Sequence, residues 1–449
     1  MRRTTVPLVL GITLAFGLMA FSGVALAQND DEFQILVNRG KSERLGGGDW
    51  ITVRVGDTLF GVVYGSGDNL GPITMFGEYK RYLGGADIHD ESGNFLRTVP
   101  IPVSSVFSQN LLRIVEFEDM DNDGLFDLRD TNLDPVLGDK PMKLLTLSQS
   151  WELSDYNFLK HADSVSVDFT LGVSHVPYTW VRSGDLGIRI NGSESLERVE
   201  EVAITFHIDV SFKDAEINDV PWFRVTVTGF PERRVVDAEL VGYRDFEGTS
   251  IDMNFKYDHL IRGWDFAGPE NRLAMDTRLV IGNLVDAPVA KLIHHEMRLK
   301  AVEENGTSGS TEIRERDEPP EAPILIERNR MQFYDDWYKM GRLTWVSTVE
   351  VDGETKDMAF EVYGKGPAKW FRGIKAFNGF FVAGAFVYPQ GQTIFHDPLF
   401  SDSVYVISFP ELTNVLPAGV MIAQLVIGGV GIAVAFTVSR RRKREMGGE

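Results

Sequence analysis

Strict alternation of apolar and polar side chains recurs along the middle of the chain. Val165, Val167, Phe169, Leu171 and Val173 alternate with Ser166, Asp168 and Thr170. Val202, Ile204, Phe206, Ile208 and Val210 alternate with Ala203, Thr205, His207, Asp209 and Ser211, and Ile51-Val53-Val55, Phe223-Val225-Val227 and Ile251-Met253-Phe255-Tyr257 follow the same rule. A side-chain period of two turns one face to a core and the other to water, the signature of half-buried antiparallel strands. Val349-Glu350-Val351 meets Asp352-Gly353 and returns through Met358, Phe360 and Val362. The Asp-Gly pair favours a tight turn, whereas the polar stretch behind it suggests a looser hairpin loop. The best helical signal covers Glu327–Met340, where Phe333, Trp337 and Met340 fall at i, i+4 and i+7 and Gly341 offers a stop. Many strands and little helix predict an all-β class, a mostly antiparallel β-sandwich body.

The two ends add a topology. Arg2 and Arg3 precede an apolar run from Val6 to Ala25, which closes on Ala25-Leu26-Ala27. A charged start, an apolar centre and an A-x-A site describe a signal peptide over residues 1–27; an uncleaved signal anchor is the alternative. Near the other end, residues 416–438 hold Gln424 as their only strongly polar side chain and are long enough for one C-terminal transmembrane helix. The basic tail, residues 439–449 with Arg440 to Arg444, belongs on the cytoplasmic side. Both ends therefore predict a single-pass cell-membrane protein with its amino terminus outside and an extracytoplasmic ectodomain.

Between the ends, the pattern divides into a β-rich region over 28–150, a β-sandwich region over 151–303 and a second β-rich region over 324–409. Residues 304–323 hold almost no apolar side chain and read as a flexible linker or a long loop. Charge sharpens the picture. The formal net charge is −20. Setting aside the two arginines of the first 27 residues and the net three positive charges of residues 440–449 leaves −25 on residues 28–439. Such a surface repels nucleic acid, so none is expected as a partner. Cysteine is absent, which leaves core size or bound metal to stabilise an exported body.

One segment offers metal chemistry. In Asp119-Met120-Asp121-Asn122-Asp123-Gly124-Leu125-Phe126-Asp127-Leu128-Arg129-Asp130, alternate carboxylates converge and glycine stands at the tightest point. These 12 residues resemble the calcium loop of the EF-hand superfamily. The resemblance implies oxygen ligands from Asp119, Asp121, Asp123, the Leu125 carbonyl, Asp127 and Asp130, with a structural Ca2+ among them. Asp130 stands where Glu is usual, and Leu111 to Glu118 reads as an entering strand, not a helix. An acidic, solvated turn is the plain alternative.

Other signals are weaker. On a strand, His294 and His295 point apart and cannot hold one ion, which makes them structural. Asp87-Ile88-His89, Asp258-His259 and His396-Asp397-Pro398 read as isolated pairs without partners. No G-x-S-x-G, H-E-x-x-H or P-loop occurs, and no catalytic or organic-cofactor residues are singled out. Trp50, Trp180, Trp222 and Trp264 suit a core, or sugar stacking if exposed. Phe409-Pro410-Glu411-Leu412-Thr413, the apolar span and Arg440 to Arg444 resemble the PEF-type tripartite sorting tails of archaeal surface proteins, which implies sortase-like processing; a plain type I span fits the same residues. Together these readings predict a structural or adhesive surface protein, more readily a non-enzyme, whose partners are the membrane through its C-terminal helix and other surface proteins or polysaccharide. A membrane-tethered carbohydrate-binding protein or polysaccharide-degrading enzyme, and a tethered solute receptor, are the rival classes.

Overall fold

The computed structural model describes residues 35–41, 48–55, 58–120, 122–126, 139–181, 194–227, 235–285, 324–327, 329–335, 338–372 and 375–407. All of them belong to one compact unit, Gln34–Ser408. The expected signal peptide, linker, membrane span, tail and the His294-His295-Glu296 sequence lie outside the described residues.

The described residues form strands and turns, with no helix among them, so none is long and apolar enough to cross a membrane. In chain order the strands are β1 Ile35–Lys41, β2 Asp49–Val55, β3 Thr58–Tyr64, β4 Ile73–Asp90, β5 Phe95–Glu118, β6 Lys140–Thr146 and β7 Glu152–Lys160. There follow β8 Ser164–Trp180, β9 Glu194–Val227, β10 Val235–Arg262, β11 Arg272–Val285, β12 Ile324–Glu327, β13 Arg330–Asp335 and β14 Tyr338–Thr344. The last six are β15 Thr348–Val351, β16 Glu354–Asp357, β17 Ala359–Arg372, β18 Lys375–Tyr388, β19 Thr393–His396 and β20 Leu399–Ile407.

Their pairing makes two ladders. A meander from β1 to β5 continues through β11 to β18 and β17. Strands β7 to β10 form the second ladder, and β10 then pairs with two short partners, β20 along Gly248–Lys256 and β19 along His259–Arg262. Beyond these lie β14, β13 and β12 on one side and β15 and β16 on the other. All these pairings are antiparallel. One parallel pairing, residues 85–90 of β4 against 222–227 of β9, ties the ladders together at one end.

The core forms where the ladders face each other. Phe107 of β5 stacks on Phe400 of β20 with ring centroids 4.0 Å apart and meets Phe255 of β10 edge-on. Gly77, beside Phe107 in the β4–β5 register, has no room for a side chain: a Cβ there would strike the rings of Phe107 and Phe60. The alternating residues read from the sequence supply this core. Val165, Val167, Phe169, Leu171, Val202, Ile204, Phe206, Ile208, Val210, Ile251, Met253, Phe255 and Tyr257 are all buried.

Two local expectations are corrected. The segment expected to be helical is the β13–β14 hairpin, in which Phe333 pairs with Gly341. Met331, Phe333 and Leu343 are fully buried at strand spacing, a period that outweighs the i, i+4, i+7 coincidence. Gly341 is no helix stop: a Cβ there would press on Phe400 and Ile281. The looser loop after Val351 is instead a two-residue turn, with Val351 opposite Glu354. Asp352 at φ 56° and Gly353 at φ 81° both occupy the left-handed region, as a type I′ hairpin turn requires.

Candidate functional site

The acidic loop leaves β5 at Glu118 and enters on Asp119, whose side chain is 5% exposed. Its Oδ2 accepts the Gly124 amide at 3.0 Å and faces Arg272 Nε at 3.2 Å. Its Oδ1 is buried with no hydrogen-bond partner. Asp123 Oδ1 accepts the Leu125 amide at 2.8 Å, and Asn122 (φ 59°) and Gly124 (φ 79°) turn the chain sharply. Phe126 then anchors the loop in the core against Phe117, with centroids 4.8 Å apart. Asp121, Asp127 and Asp130 lie outside the described residues. Among the described residues, no three histidines or carboxylates are placed to hold a metal. Arg272, at the start of β11, is the contributor that the local sequence did not reveal. It sits beside the loop because it pairs with Phe117.

A second site emerges from residues read as unrelated. Asp258-His259 and His396-Asp397 are not isolated: His259 of β10 and His396 of β19 are direct register partners. Both imidazoles are 1% exposed and share one phenol. His259 Nδ1 lies 2.9 Å from Tyr388 Oη, and His396 Nδ1 lies 3.3 Å from the same oxygen. His396 Nε2 reaches the Val346 carbonyl at 3.1 Å, while His259 Nε2 is buried without a hydrogen-bond partner. Burial pushes both pKa values down, His396 to about 4 and His259 well below the usual range, with His396 nearby adding to the effect on His259. Burial also raises the Tyr388 phenol far above its ordinary value.

The outer face of the same seam carries charge. Lys256 bridges Asp258 at 3.1 Å and Asp397 at 3.4 Å. Burial opposes its charge, but Asp258 first and Asp397 second raise its pKa overall. His207 of β9 stands between Asp168 at 2.7 Å and Asp258 at 3.3 Å. Elsewhere Asp87, also read as isolated, accepts from Thr98 at 2.7 Å and Trp222 at 2.9 Å and meets Arg244 at 3.2 Å. Burial would raise its pKa, yet these donors and the Arg244 charge hold it below the carboxylate range.

A third polar cluster lies between β5, β6 and the turn before β11. Glu116 is fully buried and takes three donors: Ala267 N at 2.7 Å, Asn271 Nδ2 at 2.5 Å and Trp264 Nε1 at 3.1 Å. Its register partner Lys143, 1% exposed, donates to the Asp265 carbonyl, lies 3.2 Å from Glu197 and sits over the rings of Tyr178 and Trp180. Trp264 and Trp222 are both buried, and Arg244 covers the Trp222 face at 3.7 Å. These two indoles are therefore core and clamp residues, not a surface for sugar rings.

Chemically, the three clusters differ. Donors already surround the Glu116 carboxylate and two carboxylates already flank Lys143, so neither group is poised as acid, base or nucleophile. The histidine pair holds an unused lone pair on His259 Nε2, and both rings are buried. In the acidic loop Asp119 keeps an unsatisfied carboxylate oxygen beside further carboxylates in the chain; among the described residues Asp49 and Asp258 also hold a buried carboxylate oxygen without a hydrogen-bond partner, that of Asp258 facing Lys256. Comparisons with protein-family models, with curated proteins and with solved structures find no match to this chain.

Proposed function

We propose that this chain is a membrane-anchored extracytoplasmic surface protein, structural or adhesive, whose β-sandwich body is stiffened by calcium at the Asp119 loop. The observation that carries the reading is a strand-built unit, Gln34–Ser408, set between two apolar runs of the lengths a signal peptide and a membrane span need. Face-to-face packing of Phe107 on Phe400 supports the two-layer body. The unpartnered Asp119 Oδ1 supports a cation in the loop, since a buried carboxylate oxygen without a donor is costly. The −25 charge on residues 28–439 suits an exposed exterior surface.

Topology is the test. Protease added to intact cells should destroy an epitope in the β7–β8 region while sparing a tag placed after Arg444. A protected β7–β8 epitope in intact cells, accessible only after lysis, would overturn the proposal.

A further inference from the structure

The proton positions in the buried histidine chain follow from its geometry. The Val346 carbonyl can only accept, so His396 Nε2 carries a hydrogen. Neutral His396 then has a bare Nδ1, which accepts a hydrogen bond from the Tyr388 hydroxyl. With that proton committed, the Tyr388 oxygen is left to accept, and His259 Nδ1–H donates to it. Neutral His259 therefore keeps a bare Nε2, the atom without a partner. These assignments come from the hydrogen-bond network and fix one direction along the whole chain.

No further proton fits. On His259 Nε2 it would create a buried cationic donor with no acceptor. On His396 Nδ1 it would face an oxygen that already receives His259 Nδ1–H and would turn the phenol hydrogen away from its acceptor. Either addition leaves a buried donor unmade and a charge among Phe386, Trp345 and Phe360. The groups around the pair offer limited relief. Tyr388 of β18 and Tyr257 of β10 are phenols held protonated by burial. The carboxylates of Asp258 and Asp397 act on His396 from the outer face, where Lys256 and His207 already partner them.

The mechanical position of the pair gives it a consequence. Strand β19 is four residues long and joins β10 to β15, which in turn carries β16. His396 also ties the Trp345–Ser347 connection to the core through Val346. We propose that the His259–Tyr388–His396 chain is an acid-sensitive latch that holds the β19–β15–β16 flap to β10 and releases it on protonation. The flap would open ahead of the rest of the body, because the long β8–β9 and β9–β10 ladders do not depend on it.

The sign follows from linkage. In an opened flap the imidazoles return to about 6.5, above their closed-state values. The closed state is therefore fully favoured above about pH 6.5 and loses ground as pH falls towards the closed-state value of His396, about 4. At pH 5 the opening equilibrium should rise about 30-fold from His396 alone, and more with His259.

Hydrogen exchange on the full chain in detergent tests this, with rates corrected for the intrinsic pH dependence. Between pH 7.5 and 5.0 the amides of β15, β16 and β19 should lose protection by about 30-fold or more relative to those of β8 and β9. The double variant His259→Phe/His396→Gln should show no such selective loss. Equal changes across both groups in the wild type would overturn the latch, whether or not the variant folds. A variant that keeps the selective loss would also overturn it, by placing the response on other groups.

Discussion

Replacing Glu116 by alanine should be among the most damaging single changes in the molecule, although no charge partner is lost within ion-pair reach. The side chain satisfies one backbone amide, one indole and one carboxamide, all from the Gly263–Asn271 connection between β10 and β11. Trp264 is fully buried and Asn271 is 5% exposed, so water cannot freely replace the carboxylate. Each orphaned buried donor costs about 1–3 kcal/mol. A water entering the vacated space recovers part of that, which leaves a loss of about 4 kcal/mol. With an unfolding entropy of about 2.1 cal/mol/K per residue, a body of roughly 375 residues should then lose about 5 °C in melting temperature. Glu116→Gln should fall between, because its amide nitrogen must face either the indole or another donor. Glu118→Ala is the control: its Lys140 contact joins two half-exposed side chains and contributes at most a few tenths of a kcal/mol. Thermal melts of the three variants, with hydrogen exchange at the Ala267 amide, form the assay. A Glu116→Ala shift as small as that of Glu118→Ala, with the Ala267 amide still protected, would refute the reasoning.

Two further expectations follow from the loop and the hairpin. Calcium at 1 mM on a site of about 10⁻⁴ M should stabilise the folded protein by roughly 1.4 kcal/mol, an effect that Asp121→Ala should remove; Arg272→Gln, which clears the guanidinium from Asp119, should tighten calcium binding about threefold, and calorimetry showing no binding up to about 10 mM in either form would rule the site out. Asp352→Ala should cost about 1–2 kcal/mol, since it loses both a residue tolerant of φ 56° and the carboxylate that accepts the Gln392 and Thr393 amides; an unchanged denaturation midpoint would contradict this.

How far the fold was legible depends on whether its signal is local. Alternation writes burial directly into positions two apart, so the β8, β9 and β10 core residues could be read from a few residues at a time. The same rule reaches polar positions as well. In β10 the buried series Ile251, Met253, Phe255 and Tyr257 continues in phase to His259 and Ile261, so the burial of His259 was available from the pattern. In β19 Ile394 and His396 share one parity in the same way. The β13–β14 hairpin hides from the same rule for the opposite reason. Phe333, Trp337 and Met340 satisfy a helical spacing by coincidence, while the decisive pair, Met331 and Phe333, is too short a run to announce itself.

What no local pattern contains is register between distant strands. His259 meets His396, and Arg272 meets the Asp119 loop, because β10 pairs with β19 and β11 pairs with β5. Each pairing is chosen by the summed burial of many side chains, not by the polar residues it brings together. A one-residue slip in the β10–β19 ladder would turn His396 to the outer face and bring Phe395, 39% exposed, into the core. It would thereby remove the shared phenol and the Val346 contact together. The apolar alternation of β10 and β19 thus holds the polar chain in place, and the polar chain in turn penalises the slipped register. The latch and the fold are encoded in the same pairing, which is why the histidines look unrelated until the strands are aligned.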